Sequence, residues 1–357
     1  MTTDVSPDAT ASPDGLDLTA LDRHLRSIDV PRTGDLRAEL IAGGRSNLTF
    51  LVSDDASKWV LRRPPLHGLT PSAHDMAREF KVVAALAGTN VPVARAVAMA
   101  DDDAAIGTTF QMVEYVPGRV VRHTDELRAL GDQAAIDACV DALIEVLANL
   151  HAVDPDSVGL GDFGKATGYL ERQVRRWGSQ WDLIKTDDDP RDADVRLLHA
   201  KLGERIPPQS RSSIVHGDYR IDNTMLDADD ATKVRAVLDW EMSTLGDPLS
   251  DAALMCVYRH PTFHNVHADA AWASELIPSA DELAQKYSVA AGQPLAHWDF
   301  YMALAYFKLG IIAAGIQFRD RMGSQAAGGD DGPSTEYGDK VGEAVGPCIA
   351  MGLAELR

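Results

Sequence analysis

The chain has 357 residues, a formal net charge of −20 and a hydrophobic share of 45%. This length is sufficient for two lobes, each with a core of its own. The acidic balance argues against nucleic acid, whose phosphates attract basic surfaces, and against binding to an anionic membrane surface.

Residues 1–14 are rich in Thr, Ser, Asp, Ala and Pro and lack the basic start and apolar centre of a signal peptide, so they predict a flexible tail. A short amphipathic helix is expected at about 16–28. The three cysteines, Cys139, Cys256 and Cys348, are far apart and odd in number. They predict neither a disulfide framework nor a metal knuckle, and a reducing cytoplasm fits this pattern.

A glycine-containing turn lies between two strand-like runs, 36–41 and 48–52. Glycine lets the backbone approach phosphates closely, and backbone N–H groups can cradle them. The candidate phosphate-binding residues of this turn are Gly43, Gly44, Ser46 and Asn47. A pair of glycines also forms ordinary hairpins, and the two polar residues could equally cap the turn.

The next strand, predicted at 58–62, is where protein kinases carry a Lys that faces the nucleotide phosphates and a helix Glu. Here Arg62 stands at that position, with Arg63 as the alternative. Glu79, in a helix predicted at 72–86, is the candidate partner. Arginine would supply a forked, permanently charged donor in place of a compact ammonium. A solvated surface charge remains an alternative for each of these side chains.

Residues 110–118 read as a strand that ends in the break Pro117-Gly118. A two-lobed protein kinase has its hinge at this point of the chain, so a resemblance to kinases would imply a hinge at 114–118 between an N-lobe at 15–113 and a C-lobe at 119–357. By the same resemblance, adenine would be read by main-chain groups of Glu114 and Val116. A buried edge strand that leads into a linker would fit the same residues.

The C-lobe is predicted to be mainly helical. Its expected helices cover residues 134–151, 169–184, 249–258, 280–290, 298–322 and 337–356. The apolar stretch 301–318 is interrupted by Lys308, which leaves too short an uncharged run to span a bilayer. We therefore expect it to be a buried helix.

Residues 214–223 read IVHGDYRIDN, and 237–240 read VLDW. Phosphoryl transfer from ATP requires a positioned acceptor hydroxyl and metal-bridged phosphates. Asp218 can accept the hydroxyl proton, and the oxygens of Asn223 and Asp239 suit Mg²⁺. A hairpin around 227–230 would return Asp239 to the side of Asn223. In a chain so rich in Asp, such spacings also arise by chance.

The spacing of His216, Asp218 and Asn223 matches the protein-kinase catalytic loop, in which Asn follows Asp by five positions. The run HGDYRIDN resembles the catalytic loop of the aminoglycoside phosphotransferase family, a branch of the kinase-like superfamily. LDWE at 238–241 and GDPLSD at 246–251 resemble its metal-binding segment, in which Asp247 and Asp251 would act as braces. The resemblance is closest to the subgroup with the kinase-like domain of acyl-CoA dehydrogenase fusions.

This resemblance implies an α+β, bilobal protein-kinase-like fold, with a small β-rich N-lobe and a larger, mainly helical C-lobe. It also implies an ATP- and Mg²⁺-dependent phosphotransferase that acts on a hydroxyl of a small molecule. The family name suggests an aminoglycoside acceptor, whereas the subgroup suggests a hydroxyacyl compound such as a CoA thioester.

Two other functions remain open at the level of sequence. Arg in place of the strand Lys suits a nucleotide-binding pseudokinase that scaffolds a partner, and a metal-dependent phosphohydrolase would use similar residues. The acceptor, the choice between ATP and GTP, and the oligomeric state are not fixed by the sequence.

Overall fold

A computed structural model describes residues 12–43, 47–65, 76–100, 105–326 and 335–357. The chain divides into two compact units. The first comprises Met1–Pro117 with Arg235–Glu241, and the second comprises Gly118–Val234 with Met242–Arg357. Two segments of sequence thus contribute to each unit.

The first unit is built on an antiparallel sheet with the order β1-β2-β3-β5-β4. Its strands are β1 (Arg37–Gly43), β2 (Leu48–Ser53), β3 (Lys58–Arg63), β4 (Ala96–Ala100) and β5 (Phe110–Glu114). Successive side chains of a strand point to opposite faces. In β3 this places Trp59 and Leu61 in the core and leaves Arg62 on the other face.

Helix α1 (Leu18–Ser27) covers one face of this sheet, and α2 (Met76–Leu86) follows β3 in the chain. Asp17 caps α1, since its Oδ1 accepts a hydrogen bond from the N–H of Ala20 at 2.9 Å. The fully buried side chains of this core include Leu21, Leu25, Phe50, Leu61 and Phe110. The predicted start of α2 at residue 72 lies outside the described residues.

The second unit is mainly helical. Its helices are α3 (Thr124–Arg128), α4 (Gln133–Ala152), α5 (Tyr169–Ile184), α6 (Asp192–Glu204), α7 (Pro248–Val257), α8 (Phe263–Val266), α9 (Ala280–Ala291), α10 (Trp298–Ala326), α11 (Thr335–Gly342) and α12 (Val345–Glu355). The short strands are β6 (Ser213–Val215), β7 (Thr224–Leu226), β8 (Val234–Val237) and β9 (Thr244–Gly246), of which β6 and β9 pair antiparallel. Strand β8 is divided between the units, because Val234 belongs to the second unit and residues 235–237 belong to the first.

Helix α10 forms the centre of the second unit and packs against α5, α6, α7, α11 and α12. Among the described residues, it contains one segment, Trp298–Gly323, that is long and apolar enough to cross a membrane by length and composition alone, and 78% of its most apolar window is buried. The burial matches the buried helix expected from sequence. Cys139, Cys256 and Cys348 are free thiols, and all are buried.

The prediction of one last helix at 337–356 is wrong, because the chain forms α11 and α12 with a break after Gly342. Glycine weakens a helix interior by about 1 kcal/mol relative to alanine. The side chain of Gln317 also fills the space that a Cβ of residue 342 would need. Helix α6 was not predicted, although Val195, Leu198 and Leu202 form its buried face.

Candidate active site

The segment His216-Gly217-Asp218 follows β6, which is fixed by its pairing with β9. Gly217 adopts a left-handed conformation with φ of 86°. A Cβ at this position would lie 2.8 Å from both Cβ and the carbonyl oxygen of Met242. The turn that presents Asp218 therefore requires glycine, both for its backbone conformation and for the close approach of Met242.

Two charged side chains hold this turn from different helices. The Asp251 carboxylate, from α7, accepts the N–H of His216 at 2.6 Å and the N–H of Gly217 at 2.8 Å. Lys308 Nζ, from α10, donates to the carbonyl oxygen of Gly217 at 2.8 Å. The backbone of the loop is thus fixed before any ligand binds.

Asp251 is only 3% exposed and is joined to a second buried pair. His151 Nε2 lies 3.2 Å from Asp251 Oδ2, and His151 Nδ1 lies 2.7 Å from the hydroxyl of Tyr287. Burial alone would raise the pKa of Asp251, but the hydrogen bond and charge of His151 and the N–H of Gly217 hold it below its usual value. His151 therefore has a structural role.

The carboxylate of Asp218 is contacted on both oxygens. Oδ1 accepts a hydrogen bond from the Tyr258 hydroxyl at 2.5 Å, and Oδ2 accepts one from Asn223 Nδ2 at 3.0 Å. Arg220 Nη2 lies 3.4 Å from Oδ2. The N–H of Asp218 donates to His216 Nδ1 at 3.2 Å, which agrees with an ordering role for that histidine. The Asp218 side chain remains 25% exposed, so an acceptor hydroxyl could still reach it.

Asn223 closes the short 3-10 turn Ile221–Asn223. Its Nδ2 donates to the carbonyl oxygen of Asp218 at 2.7 Å as well as to the Asp218 carboxylate. Because the amide nitrogen is engaged, the side-chain carbonyl oxygen is the atom that can bind a cation. The second unit therefore brings two of the predicted catalytic residues, Asp218 and Asn223, into direct contact.

Asp239, the other candidate ligand, belongs to the first unit. It adopts φ of 60°, and its Oδ1 is buried with no hydrogen-bond partner among the described residues. A buried carboxylate oxygen without a donor is costly, and a cation would compensate for it. In the described ranges, no group of three or more His, Cys, Asp or Glu side chains could hold a metal. Mg²⁺ requires only one or two protein ligands beside phosphates and water, so a single buried carboxylate such as that of Asp239 suits it.

In the first unit, Arg62 Nη1 lies 2.7 Å from Glu79 Oε2. Glu79 is 3% exposed, and the same oxygen accepts a hydrogen bond from Gln111 Nε2 at 2.7 Å. Arg63 instead directs Nε to the carbonyl oxygen of Pro64 at 3.3 Å and contacts Gly15. Burial lowers the pKa of Arg63. Of the two arginines, Arg62 is therefore the one paired with the helix glutamate.

Only part of the predicted phosphate-binding turn can be described. Gly43 ends β1 opposite Leu48, and Asn47 is buried. Gly44 and Ser46 lie outside the described residues. Their predicted contact with phosphates stays a prediction.

At the predicted hinge, the N–H of Glu114 donates to the carbonyl oxygen of Arg95 at 2.8 Å. This amide is therefore already paired within the unit. Val116 forms no main-chain hydrogen bond within the described part of the chain, which leaves it as the candidate donor to adenine.

The roles expected for Asp247 and Asp251 need correction. Asp251 braces the backbone of the catalytic loop, whereas Asp247 caps α7, since its Oδ1 accepts the N–H of Leu249 at 3.0 Å. Asp247 also accepts the N–H of Ser210 at 2.7 Å and the hydroxyl of Tyr301 at 2.9 Å. Both carboxylates are fully used inside the second unit.

Three residues that contact the candidate site were not predicted from sequence. They are Gln111, which contacts Glu79, Tyr258, which contacts Asp218, and Lys308, which contacts the backbone of Gly217. Lys308 carried a signal, because a lone charge within an apolar helix is rarely buried without a partner. Tyr258 lies seven residues after Asp251, on the same helical face. Gln111 offered no signal, since it alternates with apolar residues in an ordinary strand pattern.

Arg220 lies beside two carboxylates of the catalytic loop. Its Nε lies 3.0 Å from Asp222 Oδ1, and its Nη2 reaches Asp218. Its guanidinium also lies 5.2 Å from the ring centres of Tyr258 and Phe263.

Comparison with known sequences places these observations in a family. The family model described as the Phosphotransferase enzyme family, APH, matches residues 37–304. The chain belongs to this phosphotransferase family, as the run around Asp218 and Asn223 predicted.

Curated relatives share about a third of the aligned residues. Acyl-CoA dehydrogenase family member 10 of Mus musculus is 34% identical over 325 residues, which cover 89% of this chain and 30% of that protein. Family member 11 of Homo sapiens is 34% identical over 313 residues, covering 86% of this chain and 39% of that protein. The chain thus spans less than half the length of these relatives.

Solved structures confirm the α+β, protein-kinase-like fold. A proposed aminoglycoside phosphotransferase from Ralstonia eutropha JMP134 has a TM-score of 0.79 and 32% identity, covering 96% of this chain and 98% of that one. The aminoglycoside phosphotransferase APH(4)-Ia, solved with ADP and hygromycin B, has a TM-score of 0.59 and 14% identity, with coverage of 94% and 98%. The second likeness is one of fold alone.

Proposed function

We propose that the chain is an ATP- and Mg²⁺-dependent phosphotransferase that phosphorylates a hydroxyl group of a small molecule. The observation that carries this proposal is the contact between Asp218 and Asn223 on a loop fixed by Asp251 and Lys308. A partly exposed carboxylate, locked in orientation beside an amide oxygen, is the arrangement that this transfer requires. Neighbours of this fold solved with ADP or with GDP support a purine nucleotide as donor, of which we propose ATP.

The proposed reaction breaks two bonds and forms two. The acceptor oxygen forms a bond to the γ-phosphorus of ATP as the bond from that phosphorus to the ADP oxygen breaks. The acceptor O–H proton passes to the carboxylate of Asp218, which is general-base catalysis. Positioning and charge stabilisation supply the rate, since the transition state is loose.

The metal would be held by Asn223 and Asp239, and it would neutralise charge on the transferred phosphates. In the first unit, Arg62 would contact phosphates while Glu79, which accepts a hydrogen bond from Gln111, holds its guanidinium. The turn from Gly43 to Asn47 would cradle the phosphates, and the main chain of Glu114 and Val116 would bind adenine.

For the acceptor we favour a hydroxyacyl compound over an aminoglycoside. The support is the identity of 34% with acyl-CoA dehydrogenase family members, which exceeds the identity with the structure that holds hygromycin B. A cytoplasmic location is proposed from the buried free thiols.

The test is a mass-spectrometric screen in which the protein, ATP and Mg²⁺ are incubated with hydroxyacyl compounds and aminoglycosides. One acceptor should gain a single phosphate. A pseudokinase would bind ATP without forming any product, and a phosphohydrolase would release phosphate with no acceptor present.

Asp218→Ala should lower turnover by roughly 10²–10⁴ because general-base catalysis typically contributes this factor. The affinity for ATP should change little, since Asp218 serves the acceptor. The matched control is Asp229→Ala, in an exposed turn, which should keep full turnover. Equal turnover in Asp218→Ala and the wild type would reject the proposed role of Asp218.

A further inference from the structure

We propose that Tyr258 is a positioning residue that fixes the orientation of the Asp218 carboxylate for proton transfer. This inference rests on the function proposed above. Its physical basis is a hydrogen bond of 2.5 Å from the Tyr258 hydroxyl to Asp218 Oδ1, between residues 40 positions apart in sequence.

The aromatic ring of Tyr258 is itself held firmly. Tyr258 is 4% exposed, and its ring centre lies 4.7 Å from that of Phe263. The guanidinium of Arg220 lies 5.2 Å from the same ring. A side chain packed in this way has little rotamer freedom, so its hydroxyl stays in one position beside the Asp218 carboxylate.

Tyr258 remains a donor over the whole working range of pH. Burial raises the pKa of Tyr258 well above its usual value, and the negative charge of Asp218 raises it further. The phenol therefore stays protonated and can only donate to the ionised carboxylate. The proton that leaves the acceptor does not come from Tyr258 and is not passed to it.

The two oxygens of Asp218 are thereby fixed with different partners. Oδ2 accepts from Asn223, and Oδ1 accepts from Tyr258. Arg220 Nη2 also lies 3.4 Å from Oδ2. A carboxylate has about four lone-pair sites, so Oδ1 keeps a site beyond the one that Tyr258 occupies. With Tyr258 in place, rotation of the carboxylate is opposed, and the acceptor hydroxyl would donate to the remaining site on Oδ1.

Both the contact to the loop backbone and the contact to the Asp218 side chain come from α7 or from the residue that follows it. Asp251, in its first turn, holds the backbone of the catalytic loop, and Tyr258, just after its last residue, holds the side chain of Asp218. Residues seven positions apart lie on one face of a helix, about 10.5 Å apart along its axis. One rigid helix thus sets both the loop and the carboxylate.

The first experiment tests the contact without relying on activity. The chain has eight tyrosines, so labelling with 13Cζ-tyrosine gives few NMR signals, and Tyr258→Phe identifies the signal of Tyr258. This signal should shift in Asp218→Asn, where the charged acceptor is lost. A Tyr258 signal that does not move in Asp218→Asn overturns the proposal.

The second experiment measures transfer to the acceptor found in the screen described above. Tyr258→Phe should lower kcat by about tenfold to a hundredfold, as expected when a reacting group is misplaced, with KM for ATP unchanged.

Tyr306→Phe is the matched control, because Tyr306 is also 4% exposed but packs against His260. It should keep the wild-type kcat. If the wild type transfers phosphate and Tyr258→Phe does so with the same kcat, the positioning role is wrong while the proposed function stands. If the wild type forms no phosphorylated product with any acceptor, the proposed function itself fails, and the positioning role with it.

Discussion

The peptide groups on either side of Gly217 are bound in opposite directions, the N–H to Asp251 and the carbonyl oxygen to Lys308. Both bonds depend on the left-handed conformation, because this conformation turns the two groups toward separate partners. A residue with a side chain would oppose that conformation and would also clash with Met242. The position of the catalytic base thus depends on a residue that has no side chain.

Gly217→Ala should lower the free energy of unfolding by about 1–3 kcal/mol, the usual cost of a strained left-handed residue. Turnover should fall as well, because the loop must shift. Urea unfolding followed by tryptophan fluorescence measures the first effect. Gly203→Ala, at an exposed helical site with nothing within 4 Å of the added Cβ, should be neutral or slightly stabilising. Equal losses in both variants would contradict this explanation.

At the scale of the element, α7 combines a cap, a brace and a contact to the base. Asp247 accepts the first free N–H groups, Pro248 begins the helix, and Asp251 follows one turn later. Since Asp251 is buried beside His151, its carboxylate charge lies in the interior of the folded protein. A change that destabilises α7 should therefore also displace the catalytic loop, because Asp251 holds the backbone of that loop.

Asp251→Asn should destabilise the protein by about 3 kcal/mol near pH 7, because a buried, hydrogen-bonded charge is lost. The folded state lowers the pKa of Asp251. Its contribution is therefore fully present above the unfolded pKa of about 3.9 and is lost as pH falls through the lower folded value. The difference between wild type and variant should begin to shrink below about pH 5 and should continue to fall as pH approaches the lower folded pKa.

Thermal unfolding across this pH range tests the effect. Asp141→Asn is the control, because Asp141 forms an exposed pair with Lys286, and such pairs contribute about 0–1 kcal/mol. A difference for Asp251→Asn that does not vary with pH would show that folding does not lower the pKa of the Asp251 carboxyl.

The parts of this site that follow from sequence are those set by local spacing. Asp218 and Asn223 lie five residues apart, so one turn brings them together, and the motif was sufficient to predict it. The helix at 169–184 was also predicted correctly from its periodicity. Tyr258 and Lys308 reach the loop across 40 and 91 residues, and such contacts depend on how α7 and α10 pack. No local pattern contains that information.

At the scale of the whole molecule, the chain carries a formal net charge of −20, which repels an anionic ligand. The cations near the candidate site residues oppose this repulsion. Arg62 in the first unit and Arg220 and Lys308 in the second contact carboxylate or carbonyl oxygens. In an acidic protein, a partly exposed cation such as Arg62 is a group able to attract a polyanionic nucleotide. We therefore expect nucleotide binding to depend strongly on Arg62.

Arg62→Met should weaken ATP binding about tenfold, equivalent to about 1.4 kcal/mol. A ligand that binds the folded state stabilises it by about 2.7 kcal/mol at 100 times its Kd, so Mg²⁺ and ATP should raise the Tm of the wild type. The variant should show a smaller rise at the same concentration. Arg37→Met, which removes a partly exposed pair with Asp55, should show the full rise. An undiminished rise in Arg62→Met would exclude a phosphate contact.

The buried thiols have a practical consequence for labelling chemistry. Burial raises the pKa of Cys139 to about 11 and that of Cys348 to about 12, and it raises that of Cys256 further. The thiolate is the form of cysteine that attacks alkylating reagents, so these side chains react slowly at neutral pH. A single cysteine introduced at an exposed position such as Leu183, which is 74% exposed, would then carry a maleimide fluorophore selectively, with the native cysteines left in place.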